Sequence, residues 1–449
     1  MAKPRRRPRG DAPGSSVSRP AGSRLSSPRA SAAPRGRVAA TGSVLPGWDE
    51  LATPAGLDLL DRIDAAAATG LDAAAIGGVL RAEGTDPGLI AAALTQHDLR
   101  VRAASKFGSR RAAHMLFTPA GLEQASRFAV AERHAARFRA AGATRVADLG
   151  CGIGTESLAV LEAGLAPRAV ELDPLTATFA AHNLAVAGAG PDDSVRVGDA
   201  EALGTADADA AFLDPARRTA GHRDTRRLAG PDDYAPSLGF AFGLAERMPT
   251  GIKLGPGFDR ELIPDDAEAQ WVSVGGQLVE MGLWFGAAAR SGIRRSALIL
   301  RAPGDPDSDP DADELHADAD ADDAEVRPLG GFLYEPDGAV IRARLIGLLA
   351  AQLRAGMLSD GIAYLTGDAL VPTPFATAFR VLETLPVKES ELRRALAERS
   401  IGTLEIKKRG IDVDPAALRT RLKLRGSERA TLVLTRVAGK HTALLVERC

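Results

Sequence analysis

At 449 residues the chain is longer than one hydrophobic core usually serves, and its 45% hydrophobic and 25% charged side chains are ordinary for globular protein. A net charge of −2 conceals a basic first 45 residues and an acidic stretch from Asp305 to Glu325, and aromatics at 4% exclude a broad base-stacking platform. Two distant cysteines, Cys151 and Cys449, exclude a disulfide framework and a zinc site and fit a reducing cytoplasm; no apolar run reaches the ~18 residues that span a bilayer, and no apolar h-region follows the basic N-terminus.

The opening stretch, residues 1–45, is rich in Arg, Pro, Ser and Gly and offers nothing to bury, so it is expected to be disordered: a solubilising tail, or one that touches RNA phosphates without sequence preference. From residue 46 to 140 apolar residues recur at helical spacing, as in Leu57, Leu59, Leu60 and Ile63 and then Leu71, Ile76, Val79 and Leu80, which predicts an N-terminal helical domain. Its later part places Lys106, Arg110 and Arg111 beside an apolar turn, readable as a lid over a substrate or as a plain solvated face.

Residues 141–303 change pattern to short apolar runs alternating with helical segments, which predicts a parallel sheet with crossover helices. The runs are Arg145–Leu149, Arg168–Leu172, Ser194–Val197, Ala210–Leu213, Gly251–Leu254, Ala269–Val274, Gln277–Trp284 and Ser296–Leu300; Gly275-Gly276 reads as a hairpin turn. Residues 304–326 are expected to be an acidic linker, and no Gly-centred calcium loop is present in them, so no metal is expected. Residues 327–449 are expected to form a small α+β domain, with helices near Ala339–Gln352 and Glu389–Ala397 and strands near Gly402–Lys407, Ala430–Val437 and Thr442–Val446.

The strongest local signal is Val146–Ser157, VADLGCGIGTES, which joins a strand to a helix through Gly150, Gly152 and Gly154, so that the backbone can turn sharply and approach a ligand. Asp148, before the turn, suits the cationic amino-acid end of a ligand better than a pyrophosphate. Glu171 ends the second strand, where a carboxylate can accept from both ribose hydroxyls, and Asp199 follows the third, in reach of an adenine amino group. One such acid alone reads as a solvated loop residue; three in order, each after a strand, read as a site.

Residues 141–303 therefore resemble a class I S-adenosylmethionine-dependent methyltransferase, and DLGCGIGTESLAV is similar to the cofactor loop of its RNA-modifying members. The resemblance implies an α/β fold with a Rossmann-like seven-stranded sheet, Ser296–Leu300 taking the antiparallel position near its edge. It also implies S-adenosylmethionine as cofactor, with Asp148, Gly150, Gly152 and Gly154 on its methionine side, Glu171 at the ribose and Asp199 at the adenine.

The loop after the fourth strand, FLDPARR, faces the donor methyl group in that fold. Asp214 and Pro215 match its Asp-Pro start, but Ala216 and Arg217 replace the Pro-aromatic pair of amino-group methyltransferases and stand closer to an Asp-Pro-Pro-Arg form. Asp214 can orient or deprotonate a nucleophile, and Arg217 and Arg218 can hold a phosphate or base, unless Arg217 serves a salt bridge. Neither cysteine lies after the fourth or sixth strand, so the covalent route to carbon 5 of a pyrimidine lacks its thiolate, and direct transfer to nitrogen or oxygen is expected. The C-terminal segment resembles a THUMP-like module, which implies RNA binding; Lys407, Lys408, Arg409, Arg421, Lys423 and Arg425 are its candidate phosphate contacts, with a solvated face as the alternative. The leading expectation is a cytoplasmic methyltransferase acting on tRNA or rRNA. The alternatives are a small-molecule or protein methyltransferase and a non-catalytic cofactor-binding platform.

Overall fold

The computed structural model describes residues 46–191, 193, 195–217, 234–301 and 307–449. The basic tail, Arg218 and the side chain of Arg217 lie outside them.

Among the described residues six helices precede the main sheet: α1 (Pro54–Ala68), α2 (Ala73–Ala82), α3 (Pro87–Phe107), α4 (Ser109–Ala112), α5 (Pro119–Gln124) and α6 (Phe128–Ala140). Their starts are written locally. Thr53, Asp72, Asp86 and Thr118 each accept from a first-turn backbone N–H, and proline follows three of these four caps, where its missing donor costs nothing. The apolar stripes then bury Leu59, Leu60, Ile63, Ile76, Leu80 and Ile90 in one core with Leu158, Phe179 and Leu184 from the sheet's crossover helices. At about 1.5–3 kcal/mol for each large side chain removed from water, that shared core makes the helical segment one cover of the sheet.

The main sheet comprises β1 (Arg145–Leu149), β2 (Ala166–Glu171), β3 (Val195–Val197), β4 (Ala210–Leu213), β7 (Thr250–Leu254), β8 (Glu268–Val274), β9 (Gln277–Phe285), β10 (Arg295–Leu300) and β11 (Ala312–Ala317), ordered β11-β10-β8-β9-β7-β4-β1-β2-β3. A two-residue ladder, β5 (Ala216–Arg217) with β6 (Tyr234–Ala235), stands beside it. Crossover helices are α7 (Thr155–Glu162), α8 (Pro174–Val186), α9 (Ala200–Leu203) and α10 (Leu238–Ala245). Strands β1 to β4 and β7 are parallel, so their C-terminal ends share one edge.

Two expectations are corrected here. The antiparallel position belongs to β9, because the Gly275-Gly276 turn, with both residues at positive φ, folds the chain straight back between β7 and β8; β10 runs parallel to β8. The sheet also has nine strands among the described residues, since part of the acidic stretch expected as a linker is β11, paired antiparallel with β10. Leu315 turns into the core, and Glu314 accepts from Arg290 (2.5 and 2.7 Å), Gln270 (2.6 Å) and the Ser296 hydroxyl.

The second sheet comprises β12 (Phe332–Pro336), β13 (Gly356–Ser359), β14 (Ile362–Gly367), β15 (Ala376–Leu385), β16 (Ile401–Lys408), β17 (Glu428–Val437) and β18 (Lys440–Arg448), ordered β13-β14-β12-β15-β18-β17-β16. Helices α13 (Glu389–Glu398) and α14 (Pro415–Leu422) cover one end, sharing a core with Leu404, Ile406 and Leu432. The single helix expected near Ala339–Gln352 is two, α11 (Gly338–Arg342) and α12 (Ile346–Leu353), broken where Arg344 takes positive φ. Val340 and Leu349 from these helices and Tyr334 from β12 lie in one core with Trp271, Met281 and Leu283 of the main sheet, and Ser273 donates to the Asp337 carboxylate at 2.9 Å. No helix among the described residues is long and apolar enough to cross a membrane.

Candidate active site

The glycine turn follows β1. Gly150, Gly152 and Gly154 take φ of 91°, 55° and 85°, a region L side chains avoid, and a Cβ on Gly152 would meet nothing within 4 Å. The loop is braced from β2: the N–H groups of Gly150 and Cys151 donate to the Val170 carbonyl (2.9 and 3.0 Å), and the Gly152 N–H donates to Glu171 Oε2 (2.9 Å). Glu171 Oε1 accepts from Asp173 N–H, and Asp199 caps α9 by accepting from Glu201 N–H. Asp148 is buried and accepts from Ser157 Oγ at 2.6 Å. Burial pushes its carboxyl up to about 7, Glu156 and Asp214 add to the rise, and the Ser157 bond opposes it. The structure thus gathers Asp148, the three glycines, Glu171 and Asp199 at the C-terminal ends of β1, β2 and β3.

Asp214 follows β4, and Lys253, on the neighbouring β7, places Nζ 2.5 Å from Asp214 Oδ2, 3.1 Å from Ser126 Oγ and 3.5 Å from the Gln124 carbonyl. Desolvation raises the Asp214 carboxyl against the pull of Lys253. Burial lowers Lys253, but Asp214, Glu280 and Glu156 outweigh it and hold the ammonium well above its ordinary range. Sequence reasoning did not single out Lys253; its one signal is a lysine inside the apolar run Gly251–Leu254. Pro215 is buried, Ala216 and Arg217 pair with Tyr234 and Ala235, and the chain returns at Pro236, whose Cδ stands 3.9 Å from where a Gly150 Cβ would be.

Helix α5 lies over the glycine loop: a Cβ on Gly121 would sit 2.5 Å from Ile153 Cγ2. Lys106, read as part of a lid or substrate-facing surface or of a solvated face, lines a cleft with Arg110 and Arg111 and is tied to α5. Its ammonium donates to the carbonyls of Leu122, Glu123 and Ala125 at 2.7–3.0 Å and so fixes the end of α5. Arg111 pairs with Glu162 and lies 3.5 Å over the Phe128 ring, whereas Arg110 is exposed. A cleft of about 690 Å³ lined in part by Arg110, Arg127, Glu132 and Leu158 includes neither the glycine loop nor Asp214.

Behind the site, His134 on α6 is 2% exposed, with Nδ1 3.1 Å from Glu156 Oε2 and Nε2 3.0 Å from Glu280 Oε1. Its ring stacks on Phe212 of β4. Burial lowers its pKa, but the two carboxylates outweigh this and raise it to about 10. Glu280, held low by His134 and Lys253 against its burial, also bonds Ser126. A buried polar chain therefore runs from α7 to Asp214.

The six candidate phosphate contacts divide. Lys407 pairs with Glu335 at 2.7 Å, Arg409 lies 5.3 Å over the Tyr364 ring and Arg421 pairs with Glu389 at 2.9 Å. Lys408, Lys423 and Arg425 are exposed and form no ion pair among the described residues.

Comparison with known proteins adds to this geometry. The THUMP domain-like family matches residues 376–448, and the domain of unknown function DUF8688 matches residues 45–103. Uncharacterized S-adenosylmethionine-dependent methyltransferases from two strains of Mycobacterium tuberculosis are 39% identical over 349 residues, 76% of this chain and 90% of theirs. The crystal structure of a protein described as a methyltransferase from Porphyromonas gingivalis superposes with a TM-score of 0.63 at 21% identity, over 81% of this chain and 91% of that one.

Proposed function

Because the chain belongs to the S-adenosylmethionine-dependent methyltransferases, we propose that its acceptor is a nitrogen or oxygen of an RNA nucleotide, in tRNA or rRNA, held by Asp214 beside Lys253. The residues present fit the cofactor. Gly152 leaves open space where a Cβ would stand, Thr155 Oγ1 at the start of α7 is buried without a partner, and the surrounding acids suit a cation. S-adenosylmethionine supplies an electrophilic methyl group on positively charged sulfur. Asp148 would take the cofactor's ammonium end, Glu171 its ribose and Asp199 its adenine amino group.

The observation that carries the acceptor reading is the 2.5 Å Asp214–Lys253 pair at the edge of the sheet that also holds the glycine loop. Lys253 stays charged, so it is no base; it orients Asp214, which accepts the proton-bearing N–H or O–H of the nucleophile. No thiol competes for this role: burial pushes the Cys151 thiol up, and Cys449 lies just after β18 of the second sheet. The THUMP-like match supports RNA as acceptor, with Lys408, Lys423 and Arg425 as the unpaired cations for phosphate. The test is transfer of radiolabelled methyl to total bacterial RNA, protein extract and metabolite extract in parallel, with a Gly152→Asp control. Label in RNA, absent with the control, is expected; label only in protein or metabolites overturns the RNA acceptor.

A further inference from the structure

Glu156 is the second residue of α7, directly behind the glycine turn, and its side chain is 10% exposed. Oε2 meets His134, while Oε1 is buried with no hydrogen-bond partner among the described residues. Thr155 Oγ1, one residue earlier, is likewise buried and unpartnered. Unpartnered polar atoms at such depth are costly unless a ligand or water completes them.

The His134 ring is faced by a carboxylate at each nitrogen. A neutral ring would set a lone pair against one of those oxygens, so the ring carries both protons and stands as a cation between Glu156 and Glu280. Glu156 also lies in the first turn of α7, beside the partial positive charge of the helix N-terminus. Around it, the carboxylates of Glu156, Glu280 and Asp214 stand against two cations, His134 and Lys253, which leaves one negative charge in excess. These groups act on one another: Glu156 and Asp214 both raise Asp148, and Glu156 and Glu280 both raise Lys253.

From this arrangement we propose that Glu156 is a specificity-determining residue, which makes the cofactor site favour the positively charged sulfonium over the neutral thioether left after methyl transfer. Coulomb attraction needs no contact, and in a site that excludes water one unit charge several ångströms away changes an equilibrium by roughly tenfold or more. The excess charge holds the sulfonium and has no such hold on the thioether, so product leaves more readily than cosubstrate. His134 is a positioning residue that keeps the charge in place. The inference rests on the placement of the cofactor at Gly150–Gly154.

The experiment is isothermal titration calorimetry of the full chain with S-adenosylmethionine, S-adenosylhomocysteine and sinefungin, whose amine carries the charge without a transferable methyl group. In Glu156→Gln, S-adenosylmethionine and sinefungin are expected to bind about tenfold more weakly, with S-adenosylhomocysteine unchanged within about threefold and Glu156→Asp restoring most of the ratio. Parallel loss of all three ligands, or an unchanged ratio, overturns the proposal. Should Glu156→Gln not fold, Glu280→Gln removes a carboxylate of the same cluster from the other side of His134, and the ratio is expected to fall in the same direction; an unchanged ratio there overturns the proposal as well. Binding that survives Gly152→Asp overturns the cofactor placement and the proposal with it. An unchanged ratio alongside a dead Gly152→Asp variant overturns the proposal alone.

Discussion

Lys253 lies on β7 and Asp214 directly follows its parallel neighbour β4, and among the described residues neither forms another ion pair. Lys253→Met leaves a desolvated carboxyl without its counter-ion, which pushes Asp214 further toward the protonated form that cannot accept from the nucleophile. Methyl transfer is expected to fall by about 100-fold or more, with cofactor affinity near wild type by calorimetry; equal loss of both would remove the pair from the acceptor side. Asp148 gives a second residue-scale test. Its folded pKa of about 7 lies above the ordinary 3.8, so between those values the folded chain holds a proton that the unfolded chain has released. Stability therefore falls as pH rises across that window, by at most about 4 kcal/mol. Asp148→Asn is expected to flatten the fall in urea midpoints measured from pH 5 to pH 7.5, and an unchanged slope would assign it to other groups.

Among the elements, β11 shows how a charged sequence becomes an edge strand with one residue, Leu315, in the core. Its acids are not all solvated: Glu314 is desolvated, yet Arg290, Ser296 and Gln270 hold its carboxyl down to about 2. That contribution is present above the ordinary glutamate range and is lost as pH falls from about 4.5 toward 2, amounting to about 3 kcal/mol. Glu314→Gln is expected to lower the unfolding free energy at pH 7 by roughly that amount and to cost little at pH 2.5, as chemical denaturation at both pH values would show. The same strand marks where sequence reading stops. The glycine turn and Asp214 were legible because a strand, a turn and a helix start are specified within a dozen consecutive residues. Lys253, Glu156, His134 and Glu280 were not, because their partners lie 39, 22 and 146 positions away (253 less 214, 156 less 134, 280 less 134) and each alone reads as an ordinary helix or strand residue. In β11 to β15, burial is decided by pairing with distant strands, which composition hides: the acid count of Ala312–Ala317 reads as linker, although Leu315 is inward.

Across the whole molecule, the core that joins Tyr334, Val340 and Leu349 to Trp271, Met281 and Leu283 makes the segment carrying β12, α11 and α12 a wall of the main sheet. Deleting residues 327–449 exposes that wall, so the remaining chain is expected to aggregate or bind a hydrophobic dye such as ANS, whereas a folded, cofactor-binding fragment would show the core to be dispensable. The fixed junction also governs how an RNA contact is read. A basic module on a flexible tether adds affinity wherever it lands; one carried on the sheet whose β12 joins that core presents Lys408, Lys423 and Arg425 at a fixed reach from Asp214. On the proposed RNA reading, replacing those three with alanine removes about three phosphate contacts. The slope of log affinity against log salt is expected to shrink by about 2–3, cofactor binding being unaffected. Alanine at Lys407, Arg409 and Arg421 instead breaks three ion pairs and two ring contacts. Its expected signature is a lowered melting temperature with the salt slope nearly kept. Filter binding to bulk tRNA from 50 to 300 mM salt distinguishes the two triplets; a reversed outcome would move the RNA face onto the Glu335 side of β16.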